Sequence, residues 1–348
     1  MITPVVLPAC AASIRAYDRD VASSPAGPVA RRVFLAGIVA QVAIVVTGGL
    51  VRLTGSGLGC PTWPECAPGS YVPVAQQAEG FHAVIEFGNR LLTFVVGLVI
   101  LAGIVAALRV RPFRRSLFVL ACIQLLGVVG QAILGGITVL TDLHPAAVAS
   151  HFLLSGVLIA AATLLYERSG EGDGPSQPLV RSEVRWLSRA LLIAMAAVVV
   201  VGTVVTGSGP HAGDLDARRF GLDPRTVSWL HADLVLLFLG LVVAVIVALR
   251  LVDAPARTRR RALTVLVVAL VQGTVGYVQY FTGLPELVVA LHLLGACLVI
   301  VTVVRLHLSL RIRPAEDPAG SKPGAAELGT SHPDPLVRAG TDPRTELT

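Results

Sequence analysis

Residues 131–151 read QAILGGITVLTDLHPAAVASH, and residues 272–292 read QGTVGYVQYFTGLPELVVALH. Glutamine, glycine, threonine, leucine and histidine residues recur in the two stretches at one shared offset of 141 positions. A constant offset over this distance indicates an internal duplication. Each stretch ends on a histidine that begins a long apolar run, and an ionisable side chain inside a membrane is costly and usually functional. The recurring pairs are Gln131 and Gln272, Gly135 and Gly276, Thr141 and Thr282, Leu143 and Leu284, and His151 and His292.

The composition is that of a membrane protein. Hydrophobic residues make up 54% of the 348 residues, charged residues make up 14%, and the mean hydropathy is +0.75. A helix needs about 20 apolar residues to cross the hydrocarbon of a bilayer. The sequence predicts eight such helices, and therefore an all-α membrane protein made of two pseudo-symmetric four-helix bundles. The spans are predicted near 33–52, 84–108, 116–140, 146–166, 187–206, 227–249, 262–281 and 286–304.

The arginine positions predict how the spans are oriented. Basic residues in short loops stay on the cytoplasmic side, and arginines cluster before the first span and in every second loop after it. Both termini are therefore predicted to be cytoplasmic. The net charge of +6 follows from this topology and is not interpreted as a sign of nucleic-acid binding.

The duplication divides the chain into five predicted segments. The stretch Ser169–Pro178 and the C-terminal end are rich in Pro, Gly and charge, which predicts disorder on the cytoplasmic side. The segments are a cytoplasmic N-terminal segment at 1–30, an N-terminal four-helix half at 31–168, a cytoplasmic linker at 169–185, a C-terminal four-helix half at 186–311 and a disordered cytoplasmic tail at 312–348.

Four polar residues align at one depth: Asn89, His151, His231 and His292. Each lies about five residues into a span that starts on the outer side, which forms one layer in the outer leaflet at 1.5 Å per residue. His231 and His292 are expected on neighbouring helices, where two inward-facing imidazoles can bind a metal or both axial sites of a heme. A zinc site fits less well, because no cysteine or carboxylate is spaced beside the histidines. The alternative is a set of packed histidines that hydrogen-bond to neighbouring helices.

The first half carries ionisable groups that its partner lacks. His82, Glu86 and Asn89 are spaced i, i+4 and i+7, so they share one helical face, and Arg90 follows directly. Open coordination beside an acid or a base is what oxidative chemistry needs. We therefore interpret this half as the catalytic one, with Glu86 as the catalytic residue. The alternatives are a Glu86 that only pairs with Arg90 and a His82 that is only solvated. The aligned face of the second half carries Pro224, Ser228 and His231.

Two cysteines, Cys60 and Cys66, lie in the loop after the first span. The outer compartment is oxidising, which favours a disulfide between them. A metal-binding pair is a weaker alternative, because no histidine lies nearby in the loop. The sequence leaves open whether such a bond is structural or exchanges with a partner thiol.

The loop after the first span also carries a specific signature. Residues 49–66 read GLVRLTGSGLGCPTWPEC, and the next span contains Glu86, Asn89 and Arg90 in the pattern E-x-x-N-R. Together with the duplicated halves, this signature resembles the heme A synthase family, the membrane enzymes that oxidise a methyl group of heme O to a formyl group. The resemblance covers about residues 30–310.

The resemblance implies a division of labour between the halves. The C-terminal half would bind a b-type heme through His231 and His292, and the N-terminal half would bind heme O as substrate, with Glu86 essential nearby. The expected oxidation proceeds stepwise, from the methyl group to an alcohol and then to a geminal diol that loses water. The product, heme A, would serve terminal cytochrome oxidase. A Cys60–Cys66 disulfide is implied by the bacterial members of the family, and so is a location in the bacterial plasma membrane.

The chain departs from the family pattern at Asn89, where the family usually has histidine. An amide is a poorer ligand of heme iron than imidazole. Either His151 alone holds the iron of the substrate heme, which leaves the opposite face open, or His82 takes the vacant position from two turns earlier on the same helical face. Arg90 or Arg52 is expected to pair with the heme propionates.

Two other functions explain part of the pattern. A diheme b-type cytochrome that carries electrons between quinol and a partner explains the histidines but not the uneven halves. A transporter built from parallel repeats explains the duplication, with the ionisable groups binding substrate or protons. The expected partners are the lipid bilayer, heme O and the enzyme that makes it, an unidentified electron donor or acceptor, and, as a candidate, a second copy of the chain. No nucleic-acid partner is expected.

Overall fold

The computed structural model describes residues 26–314 and contains eight long helices. All eight are long and apolar enough to cross a membrane, so the prediction of an all-α, multi-pass membrane protein is confirmed. Residues 1–25 and 315–348, where most of the predicted N-terminal segment and tail fall, lie outside the described residues. The helices are α1 (Pro28–Leu53), α2 (Phe81–Arg109), α3 (Arg115–Leu140), α4 (Pro145–Ser169), α5 (Ser182–Ser208), α6 (Pro224–Leu251), α7 (Ala256–Phe281) and α8 (Glu286–Leu308).

Local sequence explains several helix starts. Proline stands in the first turn of α1, α4 and α6, where its missing N–H would have no intrahelical partner in any case. Asp223 caps α6, because its carboxylate accepts hydrogen bonds from the Thr226 hydroxyl at 2.5 Å and from the Thr226 N–H at 2.9 Å. These hydrogen bonds lower the pKa of Asp223. The sequence therefore specifies where α6 begins.

Each half forms a closed ring of four helices. In the first half α1 packs on α2 and α4, and α3 packs on the same two helices; in the second half α5 and α7 pack on α6 and α8 in the same way. The helices α2 and α4 therefore face each other across the first bundle, and α6 and α8 face each other across the second. The expectation that His231 and His292 lie on neighbouring helices is wrong, because a ring formed in chain order puts every second helix on a diagonal.

The duplication extends to the turns that end α3 and α7. Leu143 and Leu284 both adopt positive φ angles, 55° and 62°. Their N–H groups donate to the carbonyl oxygens of Thr138 and Gln279, each at 2.8 Å. A leucine with positive φ is uncommon, so its recurrence at the shared offset of 141 positions means that the two turns keep one backbone geometry.

The two halves pack together through α1 and α4 of the first half and α5 and α8 of the second. Val45, Ile159, Cys297 and Ile300 form a buried cluster between them. We call the end of the bundles where Pro28 and Leu308 lie the terminal face, and the opposite end the loop face. At the terminal face, the Glu167 carboxylate of α4 accepts hydrogen bonds from Arg261 of α7 at 2.6 Å and Arg305 of α8 at 2.8 Å.

The prediction of disorder for Ser169–Pro178 is wrong. Strand β1 (Gln177–Pro178) pairs antiparallel with β2 (Arg311–Ile312). Within the same stretch, the Asp173 carboxylate accepts hydrogen bonds from Arg168 at 3.2 Å and from Ser116 at 3.0 Å. The Pro- and Gly-rich composition indicated an unpaired segment, but these long-range partners hold it against the terminal face.

Candidate functional site

The four aligned polar residues lie at one level near the loop face, and we call them the polar layer. Asn89, His151, His231 and His292 lie six to eight residues inside α2, α4, α6 and α8. At 1.5 Å per residue this is about 9 to 12 Å from the helix starts, slightly deeper than the sequence indicated. All four side chains are half-buried.

Each residue of the polar layer lies against a glycine of the preceding helix. The absence of a side chain at these glycines gives the ring or amide its space, since a methyl group added there would come within 3.1 to 3.7 Å of the polar side chain. The contact is therefore repeated four times with one geometry, although two of the glycines were not identified from the duplication. The pairs are Asn89 with Gly48, His151 with Gly135, His231 with Gly202, and His292 with Gly276.

Every residue of the polar layer has a buried polar atom without a partner. These atoms are Oδ1 of Asn89 and Nδ1 of His151, His231 and His292, and none has a hydrogen-bond partner among the described residues. A buried polar atom without a partner costs about 1 to 3 kcal/mol. Three imidazoles and an amide at one level offer nitrogen and oxygen atoms to a bound group. The donor chemistry fits heme, because imidazole is an axial ligand of heme iron.

Two glutamines related by the duplication donate hydrogen bonds to the backbone of the histidines. The Gln131 side-chain amide donates to the backbone carbonyl of His151 at 3.1 Å, and Gln272 donates to the carbonyl of His292 at 2.8 Å. Gln131 also donates to the Ser155 hydroxyl at 2.6 Å. The sequence showed that these glutamines recur but gave them no role. A hydrogen bond between residues 20 positions apart cannot be predicted until the packing of the two helices is known.

Glu86 is buried and has both carboxylate oxygens occupied. Oε1 accepts from Nη2 and Nε of Arg90 at 2.7 and 3.0 Å, and Oε2 accepts from the backbone N–H of Cys60 at 2.7 Å. The structure contains the salt bridge between Glu86 and Arg90, which was the alternative to a catalytic role for Glu86. The contact with Cys60 was not foreseen and connects the carboxylate to the loop after α1.

His82 lies outside the polar layer. It precedes Asn89 by seven residues in α2, which is about 10 Å nearer the loop face. Its ring is exposed, and Nδ1 is 2.8 Å from the Ser56 hydroxyl. The structure therefore connects His82 to the loop rather than to the level of His151.

Cys60 and Cys66 form a disulfide, as expected. We call residues 54–80 the disulfide loop. Its backbone comes so close to the start of α2 that a side chain at Gly59 would collide with the carbonyl of His82. The Gln77 amide also donates to the Gly59 carbonyl at 2.7 Å. The close approach at Gly59 places the loop against the first bundle, and the hydrogen bond of Gln77 connects two parts of the loop.

Arg52 lies at the junction of the two halves. Its Nη2 donates to the carbonyl of Thr206 at 2.8 Å, and its stem packs against Gly213. Its Nε is buried without a hydrogen-bond partner, and no carboxylate among residues 26–314 forms an ion pair with it. A cation in this position at the loop face is available to an anionic group.

Residues 31–213 match the model of the COX15-CtaA family, described as cytochrome oxidase assembly protein. This stretch is more than half of the chain and contains Asn89, His151, Glu86 and the disulfide loop. The chain belongs to this family. His231 and His292 lie beyond the matched stretch. The C-terminal half is therefore related to the matched stretch through the internal duplication alone.

The chain is also similar to curated proteins named heme A synthase. It is 32% identical to the one from Lysinibacillus sphaericus over 176 residues, which are 49% of this chain and 56% of the relative. It is 35% identical to the one from Shouchella clausii over 136 residues, 38% and 44% of the two chains. For Geobacillus kaustophilus the identity is 37% over 103 residues, 29% and 30%. The chain thus spans about half the length, or less, of these relatives.

Proposed function

We propose that this protein is a heme A synthase, which oxidises the methyl group of heme O to the formyl group of heme A. The observation that carries the proposal is the unevenness of the polar layer. One diagonal has two imidazoles, His231 and His292, and the other has one imidazole and an amide, His151 and Asn89, with Glu86 one turn away. The names of the similar curated proteins support the same activity.

The C-terminal half would hold heme b. His231 and His292 lie at one level on helices that face each other across the second bundle. Imidazole is a common ligand of heme iron, and two imidazoles at one level of a four-helix bundle are suited to holding heme b. Bound heme b would supply one-electron transfer. His231 and His292 are the residues that would hold it.

The N-terminal half would hold heme O as substrate. His151 is the proposed iron ligand, because it is the imidazole of this half that lies in the polar layer, whereas His82 is connected to Ser56 above it. The amide of Asn89 opposite would leave one face of the substrate open. The unpaired Arg52 is the proposed partner of a propionate.

Glu86 is the proposed catalytic residue. The substrate methyl group would be oxidised to an alcohol and then to a geminal diol, which loses water to leave the formyl group. In this scheme water supplies the oxygen atom of each step, and each step passes two electrons to an acceptor outside this chain and releases two protons. A buried carboxylate beside the site would accept a proton. The protein would act in the bacterial plasma membrane with both termini in the cytoplasm, next to the enzyme that makes heme O.

The test is to express the chain together with a source of heme O, then extract and separate the hemes. We expect a formyl heme from the wild type and a loss of about 10²- to 10⁴-fold in its formation for Glu86→Gln, as for removal of a general acid or base. Ser228→Ala, at the aligned position of the other half, is the control and should not change the yield. Bound heme without formyl heme would instead indicate a diheme electron carrier, and a chain that binds no heme would favour a transporter.

A further inference from the structure

Arg90 makes five hydrogen bonds to four acceptor atoms. Its Nε and Nη2 donate to Glu86, as described above. Its Nη1 donates to the carbonyl of Glu65 at 3.0 Å, and its Nη2 also donates to the carbonyls of Cys60 at 3.0 Å and Thr62 at 3.2 Å. We call this set of contacts the Arg90 bridge. It connects α2 to three successive points of the disulfide loop.

The Arg90 bridge argues against one expectation from the sequence. A guanidinium has five N–H groups, and the contacts of Arg90 leave only one N–H, on Nη1, without an acceptor in the described chain. Arg90 therefore has little capacity left for a heme propionate. Arg52, which has no acidic partner among residues 26–314, remains the better candidate for that role.

The loop segment held by Arg90 carries Trp63 onto α3. The indole ring packs so closely on Gly136 that a side chain there would collide with it. The neighbouring Gly135 contacts the ring of His151. Trp63 is thus separated from the proposed substrate ligand by the backbone of two adjacent glycines. The disulfide loop is therefore bound by Arg90 of α2 and contacts α3 through its own Trp63.

The C-terminal half has no counterpart of this arrangement. Arg90 and Glu86 align with Ala232 and Ser228 at the looser offset near 142, and Gly136 aligns with Tyr277 at the offset of 141. Within the described residues, the Arg90 bridge and the packing of Trp63 on Gly136 therefore occur only in the N-terminal half. This is the half in which one face of the heme would be open. This restriction indicates a role in the chemistry of that half rather than in the stability of the fold.

We propose that Arg90 is a positioning residue, which holds the disulfide loop closed over the substrate site with Trp63 as its wall and fixes Glu86 toward that site. The proposal rests on the proposed function for the identity of the substrate. Glu86 and the loop are held jointly, since its second oxygen binds the Cys60 N–H. Lysine cannot replace Arg90, because a single ammonium can pair with Glu86 but cannot present a planar fork to three carbonyls.

The test uses the full chain in a background of Trp186→Phe and Trp229→Phe, both exposed positions, which leaves Trp63 as its single tryptophan. Without added heme O, we expect Arg90→Lys to speed reduction of the buried Cys60–Cys66 bond by a dithiol several-fold, and to raise acrylamide quenching of Trp63, which is already 39% exposed, to a smaller degree. Arg218→Lys, an exposed arginine of another loop, is the matched control and should change neither. In Arg90→Ala, added guanidinium should slow reduction of the Cys60–Cys66 bond again.

The heme absorbance of the C-terminal half, unchanged in each variant, reports that the protein is folded. Quenching and reduction rates that stay at wild-type values in both Arg90 variants would overturn the proposal, and so would an equal effect of Arg218→Lys. These readouts do not depend on turnover. If Arg90→Lys speeds reduction of the Cys60–Cys66 bond but no formyl heme ever forms, the Arg90 bridge stands and the proposed function fails. If formyl heme forms and the reduction rate of Arg90→Lys stays at the wild-type value, the proposed function stands and this inference fails.

Discussion

The two halves of this protein share a scaffold and differ at the loop face. Both have a histidine near the start of their last helix and a glutamine that donates a hydrogen bond to the backbone carbonyl of that histidine. Both also have a turn in which a leucine adopts a similar positive φ angle. Above the polar layer they diverge: the first half has Glu86, Arg90 and a disulfide loop, and the second has a short connection. The comparison teaches that the duplication kept the elements that place the polar layer and varied the connections above it.

The two halves also differ in the chemistry of one position in the polar layer. Asn89 lies across its bundle from His151, as His231 lies across from His292. The glycine beside each of them leaves similar space, so the change from imidazole to amide alters the ligand without altering the scaffold. The halves can therefore be compared by substitutions that exchange or remove single groups.

The largest effect is expected from His292→Ala, which removes one of the two proposed heme ligands of the C-terminal half. We expect loss of the low-spin heme b absorbance of this half, because one imidazole cannot hold both faces of the iron. Absorbance spectra of the purified protein measure this. His307→Ala is the control on the same helix, since His307 lies at the terminal face 2.9 Å from the Ser188 hydroxyl. A low-spin heme b that survives His292→Ala would contradict the assignment.

A smaller effect is expected from Asn89→His, which makes the two polar diagonals alike. We expect the substrate-side heme to become six-coordinate and to lose most of its binding of carbon monoxide, because the new imidazole occupies the open face. Carbon monoxide difference spectra of protein loaded with heme O measure this. Asn89→Gln keeps an amide and should bind carbon monoxide as the wild type does. Equal binding in Asn89→His and wild type would mean that this face is not open.

The smallest effect is expected from the two supporting glutamines. Gln131 donates to two acceptors, and Gln272 donates to one. A hydrogen bond contributes about 1 kcal/mol, so Gln131→Leu should lower the free energy of unfolding by about 1 kcal/mol more than Gln272→Leu. Unfolding of both variants in detergent, followed by circular dichroism, checks the difference. A larger loss for Gln272→Leu would show that packing, not the hydrogen bonds to His151 and Ser155, decides the cost.

Much of the fold was predictable because it depends on local composition. The eight spans follow from apolar length, and the aligned depth of Asn89 and the three histidines follows from their distance to the helix starts. The Cys60–Cys66 bond follows from two nearby cysteines and the family resemblance. The order of Ser169–Pro178 was missed because its composition says nothing about its partners, Arg311 and Ile312, which lie more than 130 residues later.

The sequence by itself determined the membrane class, the duplication and the residues of the polar layer, because periodicity, length and spacing are properties of the chain alone. Tertiary structure decided that His231 and His292 lie on diagonal helices, that His82 contacts Ser56 instead of reaching the polar layer, and that Arg90 holds the disulfide loop. These facts depend on which helix packs on which. A hydrogen bond between residues 26 to 30 positions apart forms only when that packing brings them within 3 Å.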